Sequence, residues 1–98
     1  MRVRMSTSPH ILLVDDERRF AESLQQILLA EDYPCTIALS GEEALELLRE
    51  KLFDLVLLDV DLPNMNGVET LDCIKELFVT MPVVMMTGNT AVETAVAA

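Results

Sequence analysis

Three short runs of apolar residues with no polar residue inside them constrain this chain more than any other feature: Ile11-Leu12-Leu13-Val14, Leu55-Val56-Leu57-Leu58 and Val83-Val84-Met85-Met86. A strand with one face in water alternates apolar and polar side chains, whereas an unbroken run fits a strand covered on both faces, as in parallel sheets. Parallel neighbours need long crossovers, usually helices. The intervening segments supply them. From Arg18 to Ala30 the residues Phe20, Leu24, Ile27 and Leu28 recur at helical spacing, with Arg19, Glu22, Gln25 and Gln26 on the other side. Ser40-Gly41-Glu42-Glu43 has the capping-box pattern and opens a second helix through Ala44, Leu45 and Leu48 to about Lys51. Val68, Leu71, Ile74 and Phe78 mark a third.

Tyr33-Pro34-Cys35-Thr36-Ile37-Ala38 is a weaker strand, and its proline suits a sheet edge. Thr90 to Ala98 reads as the start of a fourth helix, with Ala91, Val92, Ala95 and Val96 on one side. Strand and helix thus alternate four times, the rhythm of a doubly wound α/β sheet. Ninety-eight residues hold one domain, and 51% hydrophobic content with 4% aromatic gives a core of Leu, Val, Ile and Met. Met1 to Pro9 is a flexible leader, and the domain runs from residue 10 to 98. Seventeen acidic against seven basic side chains, a net charge of −10, argue against direct nucleic-acid binding and for cations or basic partners. Cys35 and Cys73 have no Cys-x-x-Cys neighbourhood and read as reduced, buried thiols. With no signal-peptide apolar region and no run of membrane-spanning length, a soluble cytoplasmic domain is expected. His10, alone at the entrance to the first run, is expected at the solvent edge opposite the carboxylates described next.

Two of the apolar runs end in acid, at Asp15-Asp16-Glu17 and at Asp59, and the last ends in Thr87-Gly88-Asn89. In a parallel sheet every strand C-terminus lies on one edge, where ligands bind at the switch point of strand order. Topology therefore collects Asp15, Asp16, Asp59 and Thr87. Three carboxylates so placed repel one another unless a cation intervenes. A hard divalent ion resolves the conflict, and Mg²⁺ takes one or two carboxylates, a carbonyl and waters while holding the oxygens of a phosphoryl group.

The stretches Ile11-Leu12-Leu13-Val14-Asp15-Asp16-Glu17, Asp59-Val60-Asp61-Leu62-Pro63-Asn64-Met65-Asn66-Gly67 and Val83-Val84-Met85-Met86-Thr87-Gly88 resemble the receiver domain of two-component response regulators, in the family's order and spacing. The resemblance implies a flavodoxin-like sheet in which Asp59 takes a phosphoryl group from the phosphohistidine of a sensor kinase or phosphotransfer protein. It implies that Asp15, Asp16, Asp59 and the backbone carbonyl of Asp61 hold Mg²⁺, that Thr87 is the switch hydroxyl, and that an effector domain, of transcriptional type, is controlled. A carboxylate nucleophile can form such an acyl phosphate, and a metal with nearby donors neutralises the charge on the transferring group.

The chain stops before the fifth strand and helix that receivers have, leaving the order 2-1-3-4. The lysine that the family places on the fifth strand is absent, and Lys51 and Lys75 both read as solvent-facing helix residues. With the fourth strand an open edge and one face short of a covering helix, residues such as Val56, Leu58 or Val84 would be partly uncovered, depending on register, which favours a homodimer, exchange of elements between chains or marginal stability. Two rival readings remain. Asp59-Val60-Asp61 also matches the Asp-x-Asp of haloacid-dehalogenase-type phosphatases, with Asp59 as nucleophile and Asp61 as general acid, although there the motif normally sits on the first strand. The other rival is an interaction module that is never phosphorylated.

Overall fold

A computed structural model of the chain describes residues 9–62 and 64–86, and the backbone of the strand at 93–95. In chain order the elements are β1 (Ile11–Val14), α1 (Arg18–Ala30), β2 (Cys35–Ala38), α2 (Gly41–Glu50), β3 (Leu55–Asp59), α3 (Gly67–Leu77), β4 (Val83–Met86) and β5 (Glu93–Ala95). The sheet order is β2-β1-β3-β4-β5. The first four strands are mutually parallel, in the expected 2-1-3-4 order of a flavodoxin-like fold.

β5 is the difference. The Ala- and Val-rich segment predicted as a fourth helix contributes instead a three-residue strand antiparallel to β4, pairing Val83 with Ala95 and Met85 with Glu93. The physical reason lies in β4, whose outer backbone N–H and C=O groups would otherwise form a bare sheet edge. The fourth strand is thus not the open edge expected from the sequence. The remainder of the predicted helix, and the leader up to residue 8, lie outside the described residues.

Helix starts follow side-chain chemistry. Ser40 Oγ accepts the Glu43 amide at 3.1 Å, while the Glu43 carboxylate accepts the Leu39 amide at 2.7 Å. A reciprocal capping box forms at α3, where Asn66 Oδ1 accepts from Glu69 N at 2.9 Å and Glu69 Oε1 accepts from Asn66 N at 3.1 Å. Asp32, at φ 69°, ends the turn after α1. Asn64, at φ 58°, bends the β3–α3 loop, a conformation asparagine and aspartate tolerate better than other side-chain-bearing residues.

Paired residues of a parallel sheet share a face. Leu12, Val14, Val56, Leu58, Val83 and Met85 face α2 and α3 and are buried there with Ala44, Leu45, Leu48, Phe53 and Ile74. The odd rows of β1 and β3, with Val84 and Met86 of β4, face α1, which lies over β1 and β2. Leu13 is fully buried on that side, whereas Leu55, Leu57, Val84 and Met86 are half-buried. Val84 is therefore partly uncovered as expected, but Val56 and Leu58 are not, because their register turns them towards α2 and α3. α1 buries Ala21 and half-buries Leu24 and Leu28, leaving Phe20 and Ile27 at 47% and 61% exposure. His10, at the end of β1 opposite the carboxylates, is partly buried, its Nε2 within 2.9 Å of Thr36 Oγ1 and its ring 4.7 Å from that of Phe53. Both cysteines are free and half-buried. Among the described residues no helix is long and apolar enough to cross a membrane.

Candidate functional site

The register that pairs Val14 with Leu58 sets Asp15 and Asp59 one step further on, side by side at the C-terminal ends of β1 and β3. Both continue the odd rows and so stand on the α1 side of the sheet. Asp15 is 5% exposed, Asp59 is half-buried and Asp16 is exposed. One carboxylate oxygen from each of Asp15, Asp16 and Asp59 lies within 4.8 Å of the other two. The three acids that topology was expected to collect are therefore together.

Each of the two inner carboxylates is held by a backbone donor two residues on. Asp15 Oδ1 accepts the Glu17 amide at 2.9 Å, and Asp59 Oδ1 accepts the Asp61 amide at 3.2 Å. Burial nevertheless pushes the Asp15 carboxyl above its ordinary range; the Glu17 amide opposes this, and the charges of Asp59, Asp16 and Glu17 add to the rise. Asp59 is likewise raised, first by burial, against the pull of the Asp61 amide, and then by the charges of Asp61, Asp16 and Glu17. Burial and mutual repulsion disfavour the charged form of both carboxyls, and a divalent cation would relieve both. The donors are all oxygens, with no sulfur or imidazole, which suits a hard ion such as Mg²⁺ rather than zinc.

A cleft of about 480 Å³ opens beside the cluster, lined by Asp16, Val60, Asp61, Leu62, Asn66 and Val68. Its floor is the β3–α3 loop. Val60 N donates to Met86 O at 2.9 Å and Gly67 N donates to Val60 O at 3.0 Å, so the loop is tied to β4 on one side and to α3 on the other. Asp61 is exposed, and its amide is its link to Asp59. Thr87 lies outside the described residues; Met86 before it is level with Asp59 across β3 and β4. Lys51 caps the C-terminal end of α2, and Lys75 occupies the last turn of α3. Both are at the sheet edge away from the acids, and Lys75 is half-buried rather than solvent-facing.

Asn66 and Gly67 stand at the end of the receiver-like stretch without a role of their own in the sequence pattern. The signal for more is present, since Asn66-Gly67-Val68-Glu69 fits the N-cap pattern with glutamate three residues on. No signal pointed to Thr70, whose buried hydroxyl donates to Asn66 O at 2.8 Å and anchors the loop from within α3.

The model of the response regulator receiver domain matches residues 11–98. The transcriptional regulatory protein ZraR of Escherichia coli K12 is 47% identical over 88 residues, which is 90% of this chain and 20% of that protein. The transcriptional regulatory protein CpxR of the same strain is 43% identical over 79 residues, 81% of this chain and 33% of that protein. The chain thus spans a fifth to a third of the length of these curated relatives. Among solved structures, the response regulator protein TrrA of Thermotoga maritima, crystallised in complex with Mg²⁺-BeF, superposes with a TM-score of 0.80 at 33% identity, covering 84% of this chain and 71% of that one. A CheY-like receiver domain protein of Methanospirillum hungatei gives 0.81 at 35% identity, covering 87% and 68%. By the family match along nearly its whole described length, this chain belongs to the response regulator receiver domain family.

Proposed function

We propose that Asp59 is the phosphoacceptor of this receiver domain, and that a sensor histidine kinase or a phosphotransfer protein is its donor. The observation that carries the reading is the meeting of Asp15, Asp16 and Asp59 within 4.8 Å at one strand edge. An oxygen of the Asp59 carboxylate attacks phosphorus in line with the leaving nitrogen. The P–N bond of the donor phosphohistidine breaks, its electron pair returns to the imidazole, and an acyl phosphate is left on Asp59. Asp15, Asp16, Asp59 and the Asp61 backbone carbonyl are the residues that would hold Mg²⁺. When bound, the ion supplies neutralisation of charge on the phosphoryl oxygens. The Asp61 amide, which donates to Asp59 Oδ1, fixes the orientation of the nucleophile. Thr87 is the hydroxyl we assign to the switch, recruited to the new acceptor oxygens.

The output is control of an effector, of transcriptional type as in the regulators to which the chain is similar. Self-association is a further part of the proposal, resting on the half-buried row Leu55, Leu57, Val84 and Met86 rather than on the outer edge of β4, which β5 pairs. Light scattering that gives a monodisperse monomer would remove that part. The phosphatase reading is less well supported, because Asp59-Val60-Asp61 stands on the third strand and not the first.

The deciding experiment incubates the protein with acetyl phosphate and follows intact mass. One phosphoryl group per chain, dependent on Mg²⁺ and lost in Asp59→Asn, is the expected result. Unlabelled wild-type protein that still binds Mg²⁺ would favour a docking module, and continuous hydrolysis of a phosphate monoester that stops in Asp61→Asn would favour the phosphatase.

A further inference from the structure

We infer that Gly67 is a positioning residue for the acidic site, acting through the β3–α3 loop; the inference rests on the metal-binding reading above. The observation is a close approach of backbone to backbone. A Cβ built on Gly67 would come within 2.4 Å of Asp59 O, 2.6 Å of Val60 Cα and 2.8 Å of Val60 O. These are main-chain atoms of the acceptor residue and its neighbour, so no side chain can rotate away to make room. Gly67 has no positive φ, so conformational freedom is not what the position requires. It requires the absence of a side chain.

The consequence runs directly to the carboxylates. With Gly67 bare, its amide reaches Val60 O at 3.0 Å, and α3 begins hard against the end of β3. The loop from Val60 to Asn66 is thereby closed at its base. Within it Asp61 donates its amide to Asp59 Oδ1, and Val60 donates its own to Met86 O, the residue before Thr87. A methyl group at residue 67 must push α3 outwards or push Asp59 and Val60 inwards. Either movement displaces the Asp61 backbone relative to the Asp59 carboxylate. The helix itself offers no objection, since alanine is a better helix former than glycine. Loss of function in an alanine variant would therefore report the contact and not the helix.

The α3 end of the loop is braced, so the displacement is not absorbed at the start of the helix. The Asn66–Glu69 capping box fixes the first turn of α3, and Thr70 Oγ1 holds Asn66 O. Met65 and Thr70 in turn pack against Gly41 at the start of α2, where a Cβ would meet Thr70 Oγ1 at 2.2 Å and Met65 Sδ at 3.2 Å.

The test titrates the full chain with Mg²⁺ alone and follows backbone amide shifts by NMR. Wild type is expected to show a saturable response at Asp61. Gly67→Ala should weaken Mg²⁺ roughly tenfold or more, the range seen when groups that orient metal ligands are altered. Leu48→Ala, a truncation in the core under α2, should lower the melting temperature while leaving Mg²⁺ affinity unchanged. Gly67→Ala that melts lower but binds Mg²⁺ like wild type overturns the inference, as does an equal loss of affinity in Leu48→Ala. Wild type without a saturable response would instead remove the metal reading itself. If Gly67→Ala does not fold, the wild-type spectrum decides: the Gly67 amide must shift with Mg²⁺ along the same curve as the Asp61 amide, and a still Gly67 amide overturns the inference.

Discussion

The two faces of the sheet are built from the same strands and the same residue types, yet they have different fates. On the α2 and α3 side, Leu12, Val14, Val56, Leu58, Val83 and Met85 are all between 0% and 7% exposed. On the α1 side, Leu13 is sealed under the helix, but Leu55, Leu57, Val84 and Met86 are only half-buried. Among the described residues, two helices over four parallel strands close a face, and one helix lying over β1 and β2 does not reach β3 and β4. The half-covered face is also the one whose rows end in Asp15 and Asp59. Stability is concentrated on one side of the sheet, and the ionisable chemistry on the other.

Neighbouring leucines on β3 put this to the largest test. Leu58→Ala empties a fully buried position and should cost about 2–5 kcal/mol, whereas Leu57→Ala, starting half-exposed, should cost roughly half as much. Urea unfolding of the two variants measures the difference. Equal losses would mean that the α1 side is sealed in solution, by self-association or otherwise, and repeating the measurement across protein concentration would separate those cases.

The second effect belongs to the acidic end of the open face. Mg²⁺ at a hundredfold excess over its dissociation constant should add about 2.7 kcal/mol to the wild type through preferential binding to the folded state. For a domain of this size that is a rise in melting temperature of roughly 10–20 °C. Asp59→Asn should lose most of that gain, and Leu58→Val on the opposite face should keep it. Calorimetry with and without the ion reads both.

A smaller effect follows from the same carboxyls without metal. Asp15 and Asp59 are both raised above the ordinary carboxyl value of 3.8, chiefly by burial. A raised acid binds more protons folded than unfolded, so it weakens the fold when ionised. That penalty is fully present above the raised values, is relieved as pH falls through them, and is gone below 3.8. Metal-free Asp59→Asn should therefore be more stable than metal-free wild type at neutral pH, with the advantage shrinking as the solution is acidified. A variant that is less stable than wild type at neutral pH would show that the Asp61 amide outweighs burial at this position.

The contrast between faces also explains what could be read from the sequence. Unbroken runs such as Leu55 to Leu58 announce strands because neither face is allowed a polar residue, and parallel topology then gathers Asp15, Asp16 and Asp59 without any further information. The facing of α1 was not legible. Phe20 and Ile27 repeat at helical spacing just as Leu24 and Leu28 do, and only the width of the neighbouring layer decides which stripe is buried. β5 was illegible for a related reason: an Ala- and Val-rich segment favours a helix locally, and the unpaired edge of β4 overrides it. At the site, Asn66 and Glu69 were readable as a cap, but the contact of Gly67 with Asp59 O was not, since it involves main-chain atoms brought together only by the finished fold.

The cysteines give the finest probe, one on each face. Cys35 follows the odd row of β1 onto the α1 side, pairing with Ile11, and burial pushes its thiol up to about 11 from an ordinary 9.0. Cys73, on α3, packs against the opposite core. At pH 8 a thiol raised by two units presents roughly a hundredfold less thiolate, so alkylation of Cys35 by iodoacetamide should be slower by about that factor in the folded protein than in urea. Leu24→Ala, which thins the half-buried stripe of α1, should speed Cys35 labelling and leave Cys73 labelling as it was. Peptide mass mapping distinguishes the two thiols. If Cys73 accelerates in step with Cys35, the two faces open together in one global unfolding event, and the division of the sheet into a sealed side and a loose side holds for the static packing but not for its motions.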